Sequence, residues 1–389
     1  MACTAELLCP VGDQARREWP PRCGTFFPLI PPADRLFAAV RPIAWPKVTM
    51  RSPAFLLSRP CRRAYDKPVQ PLPNILLGNM PHTQATPVLE KYLRELKQTG
   101  RRALITFLPA GDPSLEATRQ LLQVLARSGA DVIEVGFPYS DPIADGPLIQ
   151  AAYTRALRHG VRADDIFALV RDWCTQEARA GQHSETGGQW SVVSGQGPGV
   201  SIKSRPPLLV AMCSYSLVFR QGEDRFVDRC QSAGFSGLIV PDLPVEESTG
   251  LATRCREAGL ALVQLVTPTT PPHRARRIVE CSSGFVYCVS VTGITGVRER
   301  LPEELVERLR WLRSITDLPL CVGFGVSRPE HARWLRDFAD GIIVGSALVS
   351  YLEKAENLPD LLSNVEGLVR QLRAALDSPT AMSGTTGES

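Results

Sequence analysis

Between Leu89 and the C-terminal region, short runs of Val, Ile and Leu alternate eight times with amphipathic helical stretches, and this rhythm limits what the chain can become. Strands apolar on both faces belong in a parallel sheet covered on both sides, and parallel neighbours need a crossover helix between them. The runs are Ala103 to Leu108, Val132 to Gly136, Leu208 to Met212, Gly237 to Val240, Ala261 to Val266, Phe285 to Val289, Leu318 to Gly323 and Gly341 to Val344. Helical stretches between them include Ser114 to Arg127, Glu223 to Ala233, Val245 to Ala258, Pro302 to Ser314 and Pro329 to Phe338. Eight alternations in about 290 residues predict an α/β fold of the closed (β/α)8 type, a TIM barrel, over an open sheet of roughly five to seven strands.

The barrel takes residues 81–378, with a short disordered tail at 379–389. One stretch breaks the rhythm: residues 174–206 are polar and glycine-rich, including Gly187-Gly188-Gln189-Trp190 and Gly195-Gln196-Gly197-Pro198-Gly199. They read as a flexible insertion in a helix-to-strand connection, at the end of the barrel away from the chemistry.

Residues 1–80 differ in kind. They are rich in Pro and Arg and show no helical or strand period, the composition of a disordered targeting extension. Scarce Ser and the acids Glu6, Asp13, Glu18 and Asp34 fit such a peptide poorly, and a disordered tail without an address is the competing reading. Met50 begins a cleaner basic segment and is a second candidate start. Residues 1–70 hold 11 Lys and Arg against 5 Asp and Glu, whereas the rest holds 33 against 35, so the body offers nucleic acid no basic surface. No apolar run approaches the roughly 18 residues of a membrane span. The 11 cysteines stand singly, without the paired Cys or His spacing of zinc sites, so no metal is expected and free thiols in a reducing compartment are.

Candidate chemistry concentrates after the second strand. Glu134 lies inside the apolar run Val132-Ile133-Glu134-Val135, and Asp141 and Asp145 follow in a Pro/Gly loop. A carboxylate buried on a strand is desolvated and holds its proton toward neutral pH, while an acid on a polar loop stays ionised, so the two could divide acid and base work. The alternative is that Glu134 pairs with a Lys or Arg and that the loop acids cap turns. Active sites of this fold form at the C-terminal ends of the strands, which is where this loop lies. The seventh strand ends in Gly323-Phe324-Gly325-Val326-Ser327 and the eighth in Gly345-Ser346, an arrangement suited to a phosphate cradle at a helix N-terminus or simply to tight loops. After the sixth strand, Ser290 to Arg298 has the Gly/Thr composition of a lid. Tyr287 sits at the end of that strand, either to reach the site or to pack.

Five stretches, in order, carry a family resemblance: Leu104 to Pro113, Glu134 to Gln150, Pro241-Asp242-Leu243-Pro244-Val245-Glu246-Glu247, Ser290 to Arg298, and Gly323 to Ser327 with Gly345-Ser346. Over about residues 84 to 376 the chain resembles the tryptophan synthase α subunit family. The resemblance implies retro-aldol cleavage of indole-3-glycerol phosphate to indole and glyceraldehyde 3-phosphate. It implies Glu134 as general acid/base and Asp145 as the carboxylate that accepts the indole N–H. Phe107, Met212 and Tyr287 would line the indole pocket, and Gly296, Gly325, Gly345 and Ser346 would hold the phosphate. Thr295, in the lid, would order Asp145. Pro138, Asp141 and Pro142 would meet a β subunit in an α2β2 heterotetramer that receives the indole. No cofactor is implied for this chain, because the pyridoxal phosphate of such complexes belongs to the β subunit. The chain departs from the family where a Tyr-Asn pair is usual, reading Cys213-Ser214-Tyr215-Ser216, and in Pro109 where Thr is common. The same chemistry would serve a stand-alone lyase releasing free indole, and an inactive regulatory partner of the β subunit is the non-enzymatic alternative. A plastid is the address expected of such an enzyme with a transit peptide, a mitochondrion or the cytoplasm being the other possibilities.

Overall fold

A computed structural model describes residues 86–143, 145–182, 205–290, 303–323 and 325–378. Eight parallel strands close into a barrel in chain order. They are β1 (Ala103–Pro109), β2 (Val132–Gly136), β3 (Leu208–Met212), β4 (Phe235–Ile239), β5 (Ala261–Val266), β6 (Val286–Val289), β7 (Leu320–Gly323) and β8 (Gly341–Val344). The expected TIM barrel is therefore present.

Strand residues alternate between two faces, and each face builds a core. Inward side chains, among them Ile105, Val132, Val210, Ile239, Val263 and Ile343, fill the lumen. A helix before the first strand, α1 (Val88–Gln98), places Leu89, Tyr92, Leu93 and Leu96 in this same cluster and plugs the N-terminal end of the barrel. Outward side chains such as Leu104, Ile133, Val135 and Leu238 pack under the surrounding helices in a larger second core.

Beyond α1 the described helices are α2 (Leu115–Arg127), α3 (Pro147–Arg158), α4 (Ala163–Gln182), α5 (Tyr215–Gln221), α6 (Glu223–Ala233), α7 (Thr249–Glu257), α8 (Pro272–Cys281), α9 (Glu303–Ile315), α10 (Pro329–Leu335), α11 (Ser346–Lys354) and α12 (Leu358–Asp377). Local chemistry sets many of their ends. Ser114 caps α2 by accepting from Ala117 N at 3.0 Å, and Asn357 caps α12 by accepting from Asp360 N at 2.9 Å.

Several boundaries differ from expectation. β4 begins at Phe235 because Phe235 already pairs with Leu209, and a register shift then seats Gly237 opposite Val210. β6 begins at Val286, since Phe285 N turns back to Ser283 O at 3.1 Å. β7 begins at Leu320, after Pro319, which has no N–H to give a ladder. α7 starts at Thr249, the preceding Val245 to Ser248 being a turn tied by Ser248 Oγ donating to Val245 O at 2.9 Å. α10 stops at Leu335. The insertion expected at 174–206 is shorter, because α4 continues through Gln182; its Gln, Glu, Arg and Ala residues are good helix formers. Residues 183–204 of that insertion, the extension over 1–80 and the tail at 379–389 lie outside the described residues, as do Thr295 and Gly296. No helix among the described residues is long and apolar enough to cross a membrane.

Candidate active site

β2 delivers the first carboxylate. Glu134 is on the same strand face as Val132, which points into the lumen, so alternation aims the Glu134 side chain inward near the C-terminal mouth. It pairs with Phe107 of β1 on one side and Val210 of β3 on the other. The residue is 1 % exposed, and its Oε1 has no hydrogen-bond partner among the described residues. No cation reaches it among the described ion pairs. Burial alone pushes its carboxyl up to about 8, which keeps it protonated at neutral pH. Among the described residues Glu134 therefore has no Lys or Arg partner.

The loop after β2 supplies the second. Asp145 is buried, not solvated as a polar loop would suggest. Its backbone is pinned at both ends, with Asp145 N donating to Pro142 O at 3.1 Å and Gln150 Nε2 donating to Asp145 O at 2.8 Å. Tyr139 Oη donates to Asp145 Oδ2 at 2.7 Å. Burial raises the Asp145 carboxyl, the Tyr139 hydrogen bond opposes that rise, and the nearby Asp242 charge adds to it.

The two acids open on one cavity of about 720 Å³, within the range of small-molecule sites. Phe107, Met212, Tyr287, Gly325, Gly345 and Ser346 line it with them. Every described residue expected to touch substrate is thus on one wall or another of a single space. The cradle is built from backbone: Gly345 precedes α11 without a side-chain cap, leaving the first turn of that helix turned to the cavity. Gly325 has φ +81°, a conformation that favours glycine, so it serves the turn as well as the cradle. Gly323 has a packing reason, because a Cβ there would come within 2.5 Å of the Tyr287 ring.

Pro138, Asp141 and Pro142 do not line the cavity. They lie on the rim of the same loop, where Asp141 is exposed and accepts from Ser140 Oγ at 2.6 Å, and where the neighbouring Ile143 is 91 % exposed.

Sequence reading gave no role to three groups the structure brings here. Asp242 lines the cavity and is held by Ser214 Oγ and Tyr215 N, both at 2.8 Å, the very positions at which the chain departs from the family pattern. Gln264 lines it too, donating to Ser248 Oγ at 2.8 Å. Tyr139 is the third, and its place six residues before Asp145 in a tight loop was the available signal. Among the described residues no set of three or more His, Cys, Asp or Glu gathers to hold a metal ion.

Known proteins place this arrangement. Residues 93–180 and 201–377 match the family model described as tryptophan synthase alpha chain. The tryptophan synthase alpha chain of Rhodopirellula baltica is 46 % identical over 261 residues, which is 67 % of this chain and 85 % of that protein. That of Synechocystis is 43 % identical over 283 residues, 72 % of this chain and 96 % of its own length. Among solved structures, the tryptophan synthase alpha chain of Legionella pneumophila superposes with a TM-score of 0.62 at 31 % identity, covering 77 % of this chain and all of that one. A chain of Mycobacterium tuberculosis tryptophan synthase in an aminoacrylate-bound form gives 0.59 at 33 % identity, covering 74 % and 98 %. Barrel, paired acids and sequence agree: the chain belongs to the tryptophan synthase alpha chain family, carbon–carbon lyases that cleave indole-3-glycerol phosphate to indole and glyceraldehyde 3-phosphate.

Proposed function

We propose that Glu134 and Asp145 carry this reaction in the cavity described, with the indole between Phe107, Met212 and Tyr287 and the phosphate at Gly325, Gly345, Ser346 and, from the lid, Gly296. The protonated Glu134 gives its proton to indole C3, and the positive charge that develops on the ring nitrogen is met by the Asp145 carboxylate, which accepts the N–H. Glu134, now ionised, takes the proton of the glycerol hydroxyl on the carbon bonded to C3. The carbon–carbon bond then breaks, its electron pair returning to the indole ring while the alcohol carbon becomes the aldehyde. Glu134 ends protonated, as it began. The indole ring is its own electron sink, so the steps need no cofactor on this chain.

One observation carries the assignment: Glu134 is buried without a cation, and burial alone holds its proton to about pH 8. A carboxylic acid kept neutral at working pH is the donor that protonation of a carbon requires. Asp145→Asn tests the second role. Full-length protein assayed for indole release from indole-3-glycerol phosphate should lose roughly a hundredfold or more in kcat with an unchanged melting temperature. Retained turnover would remove Asp145 from the mechanism.

The partner and the address belong to the same proposal. The rim formed by Pro138, Asp141 and Pro142 is the face for a β subunit, which holds the pyridoxal phosphate and consumes the indole in an α2β2 assembly. Exposure of Asp141 and of the adjacent Ile143 supports this. Residues 1–80 act as a plastid transit peptide ahead of a barrel at 81–378. Turnover with and without added β subunit, and the N-terminal residue of native protein, test these two readings.

A further inference from the structure

We propose that Tyr139 is a positioning residue for the lyase reaction: its hydroxyl holds one oxygen of the Asp145 carboxylate so that the other is presented to the indole nitrogen. The proposal rests on the reading of Asp145 as the acceptor of the indole N–H.

The hydrogen bond from Tyr139 Oη to Asp145 Oδ2 is 2.7 Å long, a well-formed O–H···O contact. Both of its ends are immobilised. Asp145 is pinned through its main chain by Pro142 and Gln150. The Tyr139 ring packs on Tyr153 of α3 with centroids 5.3 Å apart, and Tyr153 meets Phe107 edge-on at 6.5 Å. Phe107 is itself cavity wall, so three rings in contact run from the substrate space to the donor. Gly136 makes room for them: a Cβ at that position would lie 2.6 Å from Tyr153 Oη and 2.8 Å from the Phe107 ring.

Chemistry explains why the donor is a phenol. Asp145 must stay negative to meet charge developing on the indole nitrogen, and Lys or Arg in that place would neutralise it in the ground state. A neutral hydroxyl fixes the carboxylate and favours its ionised form without cancelling the charge. The help is needed, because the surroundings oppose ionisation. Among the described residues Asp145 faces Asp242 from the loop after β4, Tyr153 from α3 and Tyr287 from β6, and none of these is a cation. Among the described residues only the Tyr139 hydrogen bond acts in the opposite sense.

The test is Tyr139→Phe in the full-length protein, a change that keeps the stacked ring and deletes the hydroxyl. An acceptor needed in its ionised form makes activity rise with pH through its pKa, and loss of a bond to the ionised form moves that rise to higher pH. The expected result is kcat/KM for indole-3-glycerol phosphate lowered on the acid limb of the pH profile, by about tenfold at its low end and mostly in kcat, with that limb displaced upward by about one unit, the scale of one hydrogen bond to a charged group. A profile that superposes on the parent, or a loss equal at every pH, would overturn the proposal. Asp145→Asn in the same assay separates the two ideas. If it retains turnover the reading of Asp145 fails and the proposal with it, whereas an inactive Asp145→Asn beside a parent-like Tyr139→Phe profile defeats the proposal alone.

Discussion

Asp131 and Asp340 at the N-terminal end of this barrel and Glu134 near its C-terminal mouth are buried carboxylates handled in opposite ways. At the N-terminal end Asp131, just before β2, accepts from Leu104 N at 2.8 Å, from Tyr92 Oη at 3.1 Å and from Arg373 Nη1 of α12 at 2.8 Å. Asp340, before β8, is tied to Arg313 and accepts from Leu320 N at 2.9 Å. Each acid there closes a joint between a strand and a helix. Near the C-terminal mouth, three positions after Asp131, Glu134 has no cation among the described residues and its Oε1 no partner among them. The contrast lies between these side chains and is no rule for the whole C-terminal end, where Arg155 pairs with buried Asp112 at 2.7 Å and Tyr139 donates to Asp145 at 2.7 Å. An unpaired buried carboxyl costs free energy in the resting protein, and that cost is the physical reason to propose chemistry at Glu134.

The comparison breaks most visibly if Glu134 turns out to be structural. Glu134→Gln keeps shape and removes the transferable proton, so indole release should fall about a hundredfold to ten-thousandfold while the melting temperature holds or rises. Steady-state kinetics beside a thermal melt decides it. Parent-like turnover, or a collapse of stability, would place Glu134 with Asp131 instead of opposite it.

The converse experiment sits at the other end. Arg373→Met leaves Asp131 buried, with Arg101 at 3.7 Å as the remaining cation, and removing one member of a buried pair costs about 3 to 5 kcal/mol. Denaturant unfolding should show that loss, while kcat/KM of the folded protein stays within about twofold of the parent. A large change in kcat/KM without loss of stability would show that the two ends are not separate.

How much of this division was legible in the sequence depends on the range of the interaction involved. The strands were visible because both faces of each are covered, which writes them as continuous apolar runs, and Glu134 stood out as the one acid inside such a run. Edges were less visible. Phe235 and Ser236 follow Gly234, whose φ of +99° ends α6, and only pairing with β3 makes them strand. The continuation of α4 to Gln182 was hidden because its polar residues look like the start of an insertion, although they are good helix formers. The environment of Asp145 was not legible: a Pro/Gly loop implies solvent, whereas the residue is buried, with Tyr139 donating to it and packed on Tyr153 of α3. The Asp131–Arg373 joint spans 242 positions, a separation no local pattern records.

The smallest effect is also the one that tests the comparison in free energy alone, without turnover. Glu134 has its pKa raised from an ordinary value of 4.5 to about 8 by burial. A group whose folded pKa lies above its unfolded value contributes stability that is complete below the unfolded pKa and is lost as pH rises through the folded one. The parent should therefore match Glu134→Gln in relative stability below about pH 4.5 and fall behind it progressively up to about pH 8, by no more than about 3 kcal/mol at pH 7. Paired melts of the two proteins across that window measure the difference directly. Parallel curves would mean that Glu134 is paired in solution as Asp131 is, and the contrast between the two residues would disappear.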